Sequence, residues 1–437
     1  MNYQDKIISI NQALALVKSG DHIVTGLGAA EAQDFLANLH QIANKVNNVT
    51  VTNCLPMKEY EFYNAEYRDS FNIESLFYTA LMRKKQLESN VSYIPNHLHY
   101  SGKKRLEHVE NPDIFVGIAS IPDSHGFMSL SLSNTYEKMT IEHAKLVILE
   151  INPNAPRVFG DLEIHLDDVN YLIEANYPML ELADAQPNEK DLAIGKYIAE
   201  YVNDGDCIQL GIGGIPNAVA ASLMNHKDLG IHTEMLTTGM MKLIKNKVVN
   251  GKCKQVDKGK HVATFAMGTK ELYDFIDNNP SIVLRDSYSV NDPYVIALND
   301  NQVSINTTLE VDVTGQCCSE ALGSIQFSGT GGQTDTVVGS QNSKNGRSFI
   351  ALYSTASVKN KTTGEKEEVS KIVCQLKQGA AVSLSRNDID YLVTEYGIVN
   401  LRGTSISERV KLITSIAHPD FRDKLLEEAK KINLISK

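Results

Sequence analysis

Residues 205–216 read Gly-Asp-Cys-Ile-Gln-Leu-Gly-Ile-Gly-Gly-Ile-Pro: a turn, a short apolar strand, a glycine corner and the start of a helix. A strand that meets a glycine turn and then a helix is how α/β proteins bring backbone N–H groups and a helix N-terminus to a ligand. Proline suits the first turn of the helix PNAVAASLM that follows. Some twenty residues on, GIHTEML (230–236) carries a single carboxylate, Glu234, followed by Thr237-Thr238-Gly239.

The same pattern occurs earlier. Val17-Lys18-Ser19-Gly20-Asp21-His22-Ile23-Val24-Thr25-Gly26-Leu27-Gly28 aligns with residues 202–213 at a constant offset of 185, with Val, Gly, Asp, Ile, Gly and Gly coinciding. Each copy follows a helical segment, ALALV or KYIAEYV. A second pair, HAKLVILE ending at Glu150 and DIDYLVTE ending at Glu395, also matches. Repetition on this scale predicts two α/β domains of related topology. The polar, proline-containing segment 184–195 marks the boundary, giving domains 1–185 and 186–437.

Outward from the repeats, runs such as NVTVTNC, IFVGIASI and KLVILEIN alternate with helical segments such as YTALMRKKQLE, which predicts mainly parallel sheets with crossover helices. Ile8, Ile10, Ala13, Leu16 and Val17 share one face of an opening helix that stops at Ser19-Gly20. In the second half, TEML and HVATFAMGT read as strands, and MMKLIKNKVV and KELYDFIDNNP as helices. PYVIALN and QVSINTTLEVDV read as a hairpin-like pair of strands. RSFIALYS, SKIVCQL and YLVTEYGIVNLRG read as three more, the last ending in Gly397. Two amphipathic helices, SERVKLITSI and DFRDKLLEEAKKINL, close the chain.

Composition bounds the function. A chain of 437 residues, 42% of them hydrophobic, fills two or three domains. No apolar run reaches a membrane span, and the N-terminus lacks a signal peptide's layout. A soluble cytoplasmic protein with no membrane association is expected. Six cysteines without C-x-x-C spacing fit a reducing compartment, and Cys317 and Cys318 point to opposite faces if they lie on a strand. A formal net charge of −11 argues against nucleic-acid partners, while leaving room for a small anion held by local N–H groups.

Three features carry chemistry. G-x-G-G occurs at 211–214 and 329–332, neither in a dinucleotide fingerprint nor in a phosphate loop. Such turns suit an oxyanion or a pyrophosphate; they also serve as plain corners. Glu234 and Glu395 both sit at strand ends beside turns, where an acid can be catalytic or a simple cap. His97 and His99 form an H-x-H pair without further ligands nearby, so no metal site is expected, and no G-x-S-x-G elbow is present. Lys344, Arg347, Lys359 and Lys361 could neutralise phosphates or simply face solvent.

Taken together, GLGAAE, INPNAPRVFGD, QLGIGGIPNAV, GIHTEML, MGTKELYDFIDNNP, VSINTTLEVDVTGQ, SGTGGQTD, SRNDIDYLVTEYGIVNLRG and IAHPDFR resemble the acetyl-CoA hydrolase/transferase family, nearest its butyryl-CoA:acetate and 4-hydroxybutyrate CoA-transferases. The resemblance implies two open NagB/RpiA-like α/β domains with the active site in the cleft between them. It makes Glu234 the nucleophile and puts Gly211, Ile212, Gly213, Gly214 and Ile215 on CoA and the oxyanion. Gly331 and Gly332 would lie against the thioester arm, Asn306 and Glu395 near the reacting groups, and Lys359 on CoA. Thr237-Thr238-Gly239 stands where members often carry an acid.

The activity implied is CoA transfer from a short-chain acyl-CoA to a carboxylate such as acetate, through an acyl–glutamyl anhydride and a glutamyl–CoA thioester. Coenzyme A is substrate, no cofactor or metal is needed, and a homo-oligomer, dimer or larger, is expected. Two alternatives stay open: an acyl-CoA hydrolase using the same glutamate, and a non-enzymatic sensor of CoA esters or sugar phosphates.

Overall fold

A computed structural model describes residues 3–88, 90–109, 111–359 and 364–436. Lys361, one of the basic residues named above, lies outside the described residues.

The first half builds a seven-stranded, wholly parallel sheet. Its strands are β1 (His22–Thr25), β2 (Val49–Asn53), β3 (Phe71–Ser75), β4 (Val91–Tyr93), β5 (Ile114–Ala119), β6 (Leu146–Ile151) and β7 (Tyr171–Glu174), in the order β7-β6-β5-β1-β2-β3-β4. The second half builds a six-stranded sheet from β8 (Cys207–Leu210), β9 (Gly230–Ile231), β10 (Gln302–Thr307), β11 (Arg347–Ala351), β12 (Tyr391–Thr394) and β13 (Gly397–Asn400). Its order is β9-β8-β10-β11-β12-β13, parallel throughout except for the last pair.

Strand alternation distributes the core. In β5, Ile114 and Val116 pack into one apolar cluster while Phe115 and Ala119 pack into another; in β11, Phe349 and Ile350 divide in the same way. One cluster, with Phe115, Leu149, Phe265 and Phe349, is shared by both halves. The halves are also stitched by a small parallel sheet in which Phe159–Gly160 pairs with Ile282–Leu284.

The repeat is real down to single hydrogen bonds. Lys18 N–H donates to Asp21 Oδ2 at 2.8 Å and Asn203 N–H donates to Asp206 Oδ2 at 2.7 Å. Gly20 and Gly205 hold φ of 81° and 86°, a left-handed turn that favours glycine. Aligning β1 with β8 matches β2, β5, β6 and β7 to β9, β10, β11 and β12 in sheet order. That corrects the second sequence pair: Glu395 follows β12, whose counterpart is β7, not the β6 strand holding Glu150. Asn170, just before β7, accepts the Val147 N–H of β6 at 2.7 Å; Asp390, just before β12, accepts the Ser348 N–H of β11 at 3.2 Å.

Other readings are corrected locally. PYVIALN is helical over Pro293–Ile296, because the Asp292 side chain caps Tyr294 N–H and Pro293 occupies the first turn. Cap and proline outweigh the β-branched content, so QVSINT pairs instead with β8 and β11. YLVTEYGIVN is a hairpin, β12 turning back into β13 at Gly397. The second G-x-G-G turn opens a ten-residue helix, Gln333–Asn342, that the sequence reading did not anticipate. Cys317 and Cys318 do lie on a short strand and are both buried.

The two copies of the aspartate turn differ in burial. Asp206 is buried and ion-paired with Arg347, whereas Asp21 is partly exposed. Asp206→Asn is expected to destabilise by about 3 kcal/mol, since it strands a largely buried guanidinium. Asp21→Asn should lose about 1 kcal/mol or less. Urea unfolding of both variants checks the difference.

Candidate functional site

Glu234 lies between His232, whose backbone forms an isolated bridge to Val262 of the strand paired with Ile282–Leu284, and the short strand Met235–Leu236. Its main-chain carbonyl accepts Thr264 N–H (2.8 Å), Thr264 Oγ1 (3.0 Å) and Phe265 N–H (3.3 Å), which fixes the backbone. The side chain faces a cavity of about 300 Å³. There the carboxylate meets the turn 329–332 at the N-terminus of Gln333–Asn342.

The fit is tight. A Cβ at Gly332 would lie 2.1 Å from Glu234 Oε2 and 2.2 Å from Asn291 Nδ2, so no side chain is tolerated there. Asn291 Nδ2 donates to Glu234 Oε2 at 3.3 Å, and the nearby Gly332 N–H also favours the charged carboxylate. Burial, then the nearby Asp335 carboxylate, pushes the Glu234 pKa up to about 7, against the two donors that lower it. Asp335 is buried in the first turn of the same helix, accepting His99 Nδ1 at 2.8 Å and His99 N–H at 3.1 Å.

The turn itself is held from the first half of the chain. Leu98 N–H donates to Gly331 O at 3.0 Å, Tyr78 N–H to Ser328 O at 3.2 Å, and Thr330 N–H to Tyr93 Oη at 2.9 Å. Phe77 and Leu55 from that half line the cavity wall. Leu55 holds φ of 54°, an uncommon conformation for a bulky residue and one found preferentially at functional sites. The cavity therefore sits where the two halves meet.

Most of the sequence-predicted residues converge here. Gly211, Ile212, Asn306, Gly331 and Gly332 line the cavity with Glu234. Gly213, at φ 115°, caps the helix Gly214–Ser222 and faces an adjoining pocket that shares Ile212 and Met267 with the first. Gly214 packs against the Asp191 carboxylate, where a Cβ would approach to 2.4 Å, and Ile215 is buried. Neither lines the cavity. Asn306 is fixed by donating to Ser304 Oγ at 2.9 Å and Thr336 Oγ1 at 3.0 Å.

Glu395 is held elsewhere. It accepts Ser354 N–H and Oγ, each at 2.8 Å, and pairs with Lys190 at 3.1 Å, outside the residues lining the cavity. Lys359 is exposed on a hairpin arm, Thr355–Lys359, that also lies apart from it. The sequence reading missed Asn291, Asp335 and Phe77. Only Asp335 left a trace, as the acid two residues beyond the Gln333 that ends the second glycine turn. His97 and His99 face no metal cluster among the described residues; His99 is the buried partner of Asp335.

Comparisons with known proteins agree in one direction. The N-terminal domain model of the acetyl-CoA hydrolase/transferase family matches residues 1–182, and the C-terminal domain model matches 268–429. Glu234 and turn 211–214 fall between the two matches, but full-length relatives run across the gap. The chain is 40% identical to succinyl-CoA:cyclohexane-1-carboxylate CoA transferase of Geobacter metallireducens, covering 99% of this chain and 97% of that one. It is 38% identical to 4-hydroxybutyrate coenzyme A transferase of Clostridium kluyveri, covering 98% of each. The crystal structure of RipA from Yersinia pestis superposes with a TM-score of 0.90 at 36% identity over 99% of both chains.

Two outcomes follow from the cradle. Gly332→Ala should displace the Glu234 carboxylate and lower turnover by about 100-fold, the scale of a 1 Å misplacement, with circular dichroism unchanged. Because folding raises the Glu234 pKa from 4.5 to about 7, the folded state binds more protons than the unfolded state across that window. Its stability contribution therefore falls as pH rises through it. Glu234→Gln should melt higher than wild type at pH 8, the gap closing by pH 4; Tm measured against pH tests the sign.

Proposed function

The chain belongs to the acetyl-CoA hydrolase/transferase family, and from that premise we propose that it is an acyl-CoA:carboxylate CoA-transferase with Glu234 as its covalent nucleophile. One observation carries the reading: a lone carboxylate at a cavity wall, pressed on a glycine N–H at a helix N-terminus, with its pKa raised to about 7. A structural acid gains nothing from such a place, whereas a nucleophile near neutrality is both available and basic.

In the first step a Glu234 oxygen attacks the thioester carbonyl and the C–S bond breaks, giving an acyl–glutamyl anhydride and CoA thiolate. The thiolate then attacks the Glu234 carbonyl, expelling the acyl group as a carboxylate and leaving a glutamyl–CoA thioester. An acceptor acid such as acetate runs both steps in reverse. Each addition places negative charge on an oxygen beside Gly332 N–H and Asn291 Nδ2, donors positioned before reaction begins. The glycine turn 211–214 is the proposed seat of the CoA arm, and the turn 329–332 faces the reacting carbonyl beside Glu234.

Borohydride added during turnover with acyl-CoA should reduce the glutamyl thioester and mark Glu234 by mass. A mark on another residue, or turnover surviving in Glu234→Ala, would sink the mechanism. Only the ionised carboxylate attacks, so the rate of thioester formation should fall below about pH 7. Asn291→Ala removes a donor to the charged form, and should move that limb to higher pH. Free CoA rather than acetyl-CoA in the presence of acetate would identify a hydrolase instead.

A further inference from the structure

Resting on the reading of Glu234 as nucleophile, we infer that the subsite beside it accepts uncharged monocarboxylic acyl groups and rejects dicarboxylic ones, with Phe77 limiting acyl length. The cavity wall is mostly apolar around the reacting carboxylate: Leu55, Phe77, Met235, Phe265, Met267 and Phe327. Among the described residues that line it, Glu234 is the sole ionisable one, and no Lys, Arg or His is present.

The two glutamines of the wall are already engaged. Gln209 Oε1 accepts Ile305 N–H at 3.0 Å, Gln333 Nε2 donates to Thr307 O at 2.8 Å, and Gln333 Oε1 accepts Ser319 Oγ at 2.7 Å. Arg83 meets the lining at Phe327. There Nη1 donates to the main-chain oxygen at 2.8 Å and the guanidinium stacks 4.0 Å from the ring centroid. Asp335 adds a second buried acid beside the nucleophile.

A monocarboxylate acceptor satisfies this cavity because its only charge is consumed in the reaction. It meets Glu234 as the neutral thioester. Its oxygen bonds to the glutamyl carbonyl carbon as the C–S bond breaks, and the released thiolate then attacks the acceptor carbonyl, returning the Glu234 carboxylate. A second carboxylate at the far end of a succinyl chain takes no part in that exchange. It would sit against this apolar wall, without a cation among the lining residues and near two acids. An alkyl chain there instead buries apolar surface.

Phe77 reaches the cavity from the first half of the chain. Its ring lies so near the turn 329–332 that a Cβ on Gly331 would be 3.2 Å from Phe77 Cε2. Truncating it opens room in the acyl direction without touching Glu234.

The test is an acceptor panel at fixed acetyl-CoA: propionate, butyrate, hexanoate and succinate, each scored as kcat/KM. Butyrate should exceed succinate by about 100-fold or more, and Phe77→Ala should raise the hexanoate-to-butyrate ratio about tenfold, the range expected when a pocket gains a methylene or more of room. That ratio is insensitive to general loss of activity. Succinate within tenfold of butyrate overturns the inference, and loss of that succinate turnover in Arg83→Met would show which cation had been recruited. An unchanged hexanoate-to-butyrate ratio in Phe77→Ala overturns the role of Phe77. Failure of the nucleophile reading shows separately, as borohydride label away from Glu234 with the acid selectivity intact.

Discussion

The contact between the Glu234 carboxylate and Gly332 is the constraint on which the site depends. At 2.1 Å from where a Cβ would stand, Oε2 occupies the space of a missing side chain. The peptide N–H of Gly332 can therefore face the carboxylate directly, at the end of a helix whose dipole favours negative charge. Burial opposes that charge, and so does Asp335. A pKa of about 7 is the balance of these opposed effects.

Holding one acid against one glycine takes both halves of the molecule. Glu234 is anchored through its carbonyl to Thr264 and Phe265. The turn carrying Gly332 is pinned by Tyr78, Tyr93 and Leu98 of the first half. Phe77, on the same segment, becomes part of the cavity wall. Any shift of one half against the other would change the geometry at the carboxylate, so a shared apolar core and the Phe159–Gly160 pairing with Ile282–Leu284 bear on the site as well as on stability.

The duplicated half has diverged where it matters for charge. The aspartate turns at Asp21 and Asp206 keep the same hydrogen bond, yet only the second is buried against an arginine. Glycine corners end both β1 and β8, but only the second leads directly into a nine-residue helix. The topology repeats; the local chemistry does not.

The sequence by itself determined the parallel α/β halves, the first repeat and the glycine corners, because each is written in local spacing; Glu234 was set apart from Glu395 only by the family resemblance. Turn glycines, period-two strands and caps act within a few residues. It misread PYVIALN, where an Asp-Pro start outranked strand-like content, and it aligned Glu150 with Glu395 one strand out of place. Asn291 and Phe77 became visible only in three dimensions, as did the meeting of His99 with Asp335. They come from four separate segments, and nothing in their own neighbourhoods shows that they meet. Tertiary structure also separated Glu395 and Lys359 from the cavity. Proximity at 3 Å is set by how two sheets pack, which no single stretch of chain encodes.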